Sequence, residues 1–132
     1  MNRTQARATA MKLIYEWEMG GEGGEDTLQG ILEIKPGDTE FDYMQGIVDG
    51  VISDVSQLDE RIGQFSQGWK IDRISRVDLA ILRVAAYELK TGDQPVAAII
   101  NEAVELSHEY SSDKAGSFIN GVLGSMSRAT NS

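Results

Sequence analysis

The sequence predicts an all-α fold, and three observations carry the prediction. Apolar residues recur at steps of three and four along most of the chain. One central segment is apolar in almost every direction, as the innermost helix of a bundle must be. No stretch keeps the strict alternation of a half-buried strand, and the connections between periodic segments are short.

The elements follow in order. From Thr4 to Met19, Ala6, Ala10, Leu13, Ile14 and Trp17 mark one face of an amphipathic helix, which the glycine-rich run from Gly20 to Gly24 ends. Asp26 can cap a short second helix carrying Leu28, Ile31 and Leu32, and Lys35-Pro36-Gly37-Asp38 then makes a turn. Phe41, Met44, Val48, Val51, Val55, Leu58, Ile62 and Phe65 form a heptad pattern. Gly46, Gly50 and Gly63 favour packing inside a bundle over a coiled-coil seam between two copies, although a homodimer stays open as an alternative. Ser56 followed by Asp59 resembles a capping signal and predicts two consecutive helices with a bend near Val55. Ser75 to Leu89 is the segment that is apolar all round. Thr91 to Pro95 separates it from a helix reaching Tyr110, with the proline suited to the first turn. Ser111-Ser112-Asp113 starts a last helix with Ala115, Phe118, Ile119, Val122 and Met126 in one stripe. The expectation is about seven helices within one domain spanning residues 1–132.

At 132 residues without a cysteine, the core must come from apolar packing alone, since no disulfide or thiolate metal site can form. No apolar run approaches the roughly 20 residues of a membrane-spanning helix, and the N-terminus lacks the apolar core of a signal peptide. A cytoplasmic protein without membrane contact is the expectation.

The net charge of −9 opposes binding to phosphate, but the charge is unevenly placed. Residues 1–12 hold Arg3, Arg7 and Lys12 with no acid, whereas residues 13–66 hold 13 acids against Lys35 and Arg61. Any phosphate contact is therefore expected to involve this basic head. Arg3 and Arg7 share a helix face that Met11 and Tyr15 continue, an arrangement in which arginines hold phosphate beside a ring that borders a base. The alternative is a solvated helix edge with Tyr15 half-buried.

Catalysis finds little support. His108 is the sole histidine, no triad spacing surrounds it, and no phosphate loop or dinucleotide fingerprint occurs. The carboxylates from Glu16 to Glu25 spread over a helix end and a glycine loop, so no metal site is expected. Within the central helix Arg83 stands alone among apolar neighbours, and a buried arginine needs a carboxylate. Glu102 or Glu105 on the next helix is the expected partner. Ser75 and Asp78 fit a capping box. Gly121, inside the last helix, is unfavourable by roughly 1 kcal/mol against alanine unless something packs close to it.

Four segments together, RATAMKLIYEWE, WKIDRISRVDLAILRVAAYEL, PVAAIINEAVELSHEYS and SFINGVL, resemble the NusB family in order and spacing and cover most of the chain. The resemblance implies an all-helical fold of two helical-bundle halves, no cofactor and no enzymatic activity. It implies transcription antitermination within the elongation complex, through binding of the single-stranded boxA element of leader and ribosomal RNA transcripts as a heterodimer with the small-subunit ribosomal protein NusE. It places RNA contacts at the arginine-rich N-terminus, matched by Arg3 and Arg7, at Tyr15, and at the start of the last helix around Lys114, Ser117 and Phe118. Asp78 matches the family's acidic partner-binding position, a role compatible with capping because one carboxylate can serve both.

The chain departs from the pattern in two places. Relatives often show a run of arginines where this one reads Arg3-Thr4-Gln5-Ala6-Arg7. Ser117 stands where a lysine is common, and Lys114 where an acid can occur. Weaker RNA binding by the chain alone, with more affinity supplied by the partner, is the expected consequence. Two competing functions are a NusB-like domain of an RNA methyltransferase, against which the polar tail Ala129-Thr130-Asn131-Ser132 speaks, and a helical scaffold protein that binds no RNA.

Overall fold

The computed structural model describes residues 2–20 and 39–130, which form five α-helices and one 3-10 turn. The helices are α1 (Arg3–Glu18), α2 (Thr39–Phe65), α3 (Arg76–Thr91), α4 (Val96–Tyr110) and α5 (Asp113–Thr130), with the turn at Ile71–Arg73. The short helix expected after Asp26 lies outside the described residues.

Local chemistry sets the boundaries. Asn2 caps α1 through its side chain, which accepts from the Gln5 amide at 2.8 Å, while the Gln5 side chain accepts from the Asn2 amide at 2.9 Å. Ser75 caps α3 by accepting from the Asp78 amide at 3.1 Å, and Gly92, left-handed with φ +73°, ends that helix. Pro95 precedes α4, and the Ser112 hydroxyl accepts from the Ala115 amide to open α5.

One expectation is corrected here. The two helices predicted to meet near Val55 are a single continuous α2 of 27 residues. Ser56 is exposed within it, and the apolar stripe runs through the site of the supposed bend: Met44, Val48, Val51, Leu58 and Ile62 are all buried. A capping residue ends a helix only where the backbone leaves helical geometry, and burial of one unbroken face favours continuing.

The layout follows from the apolar faces. α3 is buried along most of its length and packs against all four other helices. α1 and α2 run in the same direction, since Arg3 meets Glu40 at their starts, and both lie on one side of α3. α4 and α5, joined by two residues, form an antiparallel pair against the other side, with α5 also touching α2. Ile14, Met44, Ile81, Leu82, Ile119 and Leu123 are fully buried where these layers meet. At Gly50 of α2 a Cβ would lie 2.2 Å from the ring of Tyr87, so any larger residue there would require that ring of α3 to move. Gly121 also has a neighbour, the Gln67 side-chain amide, 3.2 Å from where its Cβ would stand. Among the described residues no helix is long and apolar enough to cross a membrane.

Candidate nucleic-acid and partner interface

Arg3 and Arg7 of the N-terminal head are paired with carboxylates within the fold. Arg7 is buried and holds Glu88 in a two-pronged ion pair at 2.7 and 3.0 Å, with Glu102 at 3.6 Å from its other nitrogen. Burial alone would lower its pKa, but the hydrogen bonds and charge of Glu88 outweigh that and raise it. Tyr43 of α2 donates its hydroxyl to the same Glu88, and burial together with this carboxylate pushes the phenol well above its ordinary value. Arg3 lies over the Tyr43 ring at 3.8 Å and pairs with Glu40 at 2.7 Å, the hydrogen bond that raises its pKa. Arg3 stays partly exposed, whereas Arg7 is shut off from solvent. The RNA-facing role expected of Arg7 is therefore corrected: its guanidinium braces α1 against α3.

Arg83 is buried and ion-paired, as expected, but not with Glu102 or Glu105. It grips Asp59 of α2 at 2.8 and 2.7 Å and approaches Glu18 of α1 at 3.4 Å. Sequence order suggested α4 as the source of a partner because α4 follows α3, yet α3 also packs on α1 and α2, and the side chain points that way. Glu102 instead accepts from Thr4 and faces Arg7, and Glu105 is exposed beside His108.

The remaining expected residues fall in two places. Lys114 and Phe118, in the first turns of α5, line a cleft of about 300 Å³ together with Asp78, Trp69, Arg73 and Ser75. The structure thus brings the position expected to meet the partner and two of those expected to meet RNA into one cleft. Lys114 is exposed and Phe118 half-buried. Asp78 does not complete a capping box; its amide binds Ser75, and one carboxylate oxygen is buried without a hydrogen-bond donor among the described residues. A buried acceptor left unpaired costs roughly 1–3 kcal/mol, so a donor reaching this oxygen would be favoured. Ser117 points elsewhere, into a polar groove with Glu105, His108 and Asp113, where two acids disfavour phosphate.

Tyr15 is half-buried against the core on α1. The start of α1 does not pack on the start of α5. What reaches that end of the molecule is Lys12, whose ammonium sits 4.7 Å from the ring of Tyr110, the last residue of α4.

Trp69 and Arg73 were not singled out from the sequence. Trp69 is 55 % exposed, too open for a core residue, and follows Gln67 and Gly68, both with positive φ, which turn the chain so that the indole meets the cleft. The signal was legible as an aromatic beside two bases in Trp69-Lys70-Ile71-Asp72-Arg73. Lys70, Arg73 and Lys114 have no carboxylate partner among the described residues.

A helical bundle presenting aromatic rings, together with bases and a carboxylate oxygen that have no partner among the described residues, in a shared cleft is a binding module for macromolecular partners. The chain belongs to the NusB family, whose model matches residues 4–128. It is similar to the transcription antitermination protein NusB of Acetivibrio thermocellus, 44 % identical over 94 % of this chain and 87 % of that one. Among solved structures it resembles T. maritima NusB, with TM-score 0.82 and 26 % identity over 97 % of this chain and 92 % of that one. It also resembles a chain from a complex of the antitermination factors NusB and NusE with double-stranded RNA, with TM-score 0.82 and 28 % identity over 96 % of each chain.

Proposed function

We propose that this protein acts in the cytoplasm as a transcription antitermination factor, binding boxA-type single-stranded RNA as a heterodimer with NusE and joining the elongation complex without any enzymatic step of its own. Residues 1–132 act as a single domain. The observation that carries the reading is the cleft between the Trp69–Ser75 linker and α5, where, among the described residues, one Asp78 oxygen lacks a donor and Arg73 and Lys114 form no ion pair. Its division of labour follows from chemistry. Lys114 and Arg73 attract phosphate, the rings of Phe118 and Trp69 offer base-stacking surfaces, and Asp78 accepts from a base of the protein partner. Tyr15 and the exposed side of Arg3 extend the RNA face along α1. Arg7 and Ser117 have no part in it.

The test is a titration of labelled boxA RNA, single-stranded and duplex, with this protein, with NusE, and with both. The mixture is expected to bind the single strand more tightly than either protein alone. Asp78→Lys should weaken the heterodimer in calorimetry while the fold persists, because Ser75 supplies the cap and an acid in a helix's first turn adds only about 0.3–1 kcal/mol through the helix dipole. Equal binding with and without NusE, or an Asp78→Lys variant that pairs normally, would refute the proposal.

A further inference from the structure

With Arg7 buried against Glu88 and Arg3 bound to Glu40, Lys12 is the base of the head that forms no ion pair among the described residues. Lys12 has no carboxylate partner among the described residues, and its ammonium rests over the Tyr110 ring at 4.7 Å. We infer that Lys12, held in place by Tyr110, is a phosphate contact for the RNA strand that links the α1 and α5 parts of the face. The inference rests on the RNA-binding reading above.

Three physical points support it. A cation over a ring keeps its full charge, whereas one paired with a carboxylate presents little net field to a phosphate. The contact also limits the lysine's rotamers, so less freedom is lost when a phosphate arrives. Position is the third point. Lys12 stands three residues before Tyr15, on the same side of α1. Tyr110 ends α4, and only Ser111 and Ser112 separate it from α5, which carries Lys114 in its first turn and Phe118 in its second. The pair therefore joins the part of α1 that carries Tyr15 to the end of α4 that leads into α5, and a strand touching both would run past it.

The experiment measures binding of fluorescein-labelled single-stranded boxA RNA to the heterodimer with NusE between 50 and 200 mM salt, a range chosen from the behaviour of nucleic-acid complexes in general, on the order of tens to hundreds of millimolar. Lys12→Gln should lower the slope of log affinity against log salt by about 0.7, so that across this range wild type loses roughly 2.5-fold more affinity than the variant. Lys12→Arg and Tyr110→Phe, which keep the charge and the ring, should match wild type. Tyr110→Leu, which frees the lysine, should lower affinity while leaving the salt slope near the wild-type value. The thermal midpoint of each variant checks the fold. A wild-type slope in a folded Lys12→Gln protein would overturn the inference and leave the RNA-binding reading standing. Failure of wild-type heterodimer to bind the RNA at all would overturn both.

Discussion

The first turns of α1 and the first turns of α5 each set bases beside aromatic rings, yet they do opposite things. At α1, Arg3 and Arg7 meet Glu40 and Glu88 around the Tyr43 ring, and the charges cancel inside the fold. At α5, Lys114 lines an open cleft with Phe118, Trp69 and Arg73, and no carboxylate neutralises it among the described residues. The difference lies in what each helix packs against. α1 lies on α2 and α3, which carry acids at the matching heights, whereas the start of α5 meets a linker rich in bases. A basic residue offers its full charge to a phosphate where the fold has left it unpaired, and only a remainder where it is paired and still exposed, as at Arg3.

The largest effect that could break this comparison is in the α1 brace. Arg7→Ala strands Glu88 in the interior with only the Tyr43 hydroxyl, and removing one member of a buried pair costs about 3–5 kcal/mol. Urea unfolding should show that loss, and RNA affinity should fall only as far as the folded fraction falls. A stable Arg7→Ala protein with impaired RNA binding would put Arg7 back on the RNA face.

Phe118→Ala sharpens the other side. With the ring half-buried at the cleft, its truncation should cost roughly 1–3 kcal/mol of RNA affinity with little change in salt slope. Loss of thermal stability without loss of affinity would make Phe118 a packing residue like its neighbour Ile119.

The smallest effect concerns Tyr43, whose phenol is held protonated by burial and by Glu88. Because its folded pKa lies above the unfolded value of about 10, its contribution is complete below that pH and is lost as pH rises toward the folded value. Tyr43→Phe should therefore lose about 0.5–1.5 kcal/mol at neutral pH, from the missing hydrogen bond, and show a shallower decline of stability above pH of about 10. An unchanged alkaline slope in denaturation curves would remove Tyr43 from the brace.

Much of this architecture was legible in the sequence because helices are specified locally. Period, caps and breakers located α1, α3, α4 and α5 to within a few residues, and the apolar circumference of α3 placed it at the centre. The buried state of Arg83 was also legible, since an isolated base among apolar residues has nowhere else to be. The continuity of α2 was not, because Ser56 carries a capping residue's chemistry without a change in backbone to use it.

Pairing was beyond the sequence. Arg83 with Asp59, and Arg7 with Glu88, join residues 24 and 81 positions apart, and nothing local distinguishes those acids from Glu102 and Glu105. The candidate site divides in the same way. The residue types at Asp78, Lys114 and Phe118 were visible in the sequence, but their convergence on one cleft with Trp69 and Arg73 was not. By itself the sequence determined the helices and their apolar faces, which depend on neighbours three and four residues away. Only the tertiary structure decided which charges cancel and which stay available, because a charge is neutralised by what lies within a few ångströms in space, whatever its distance along the chain.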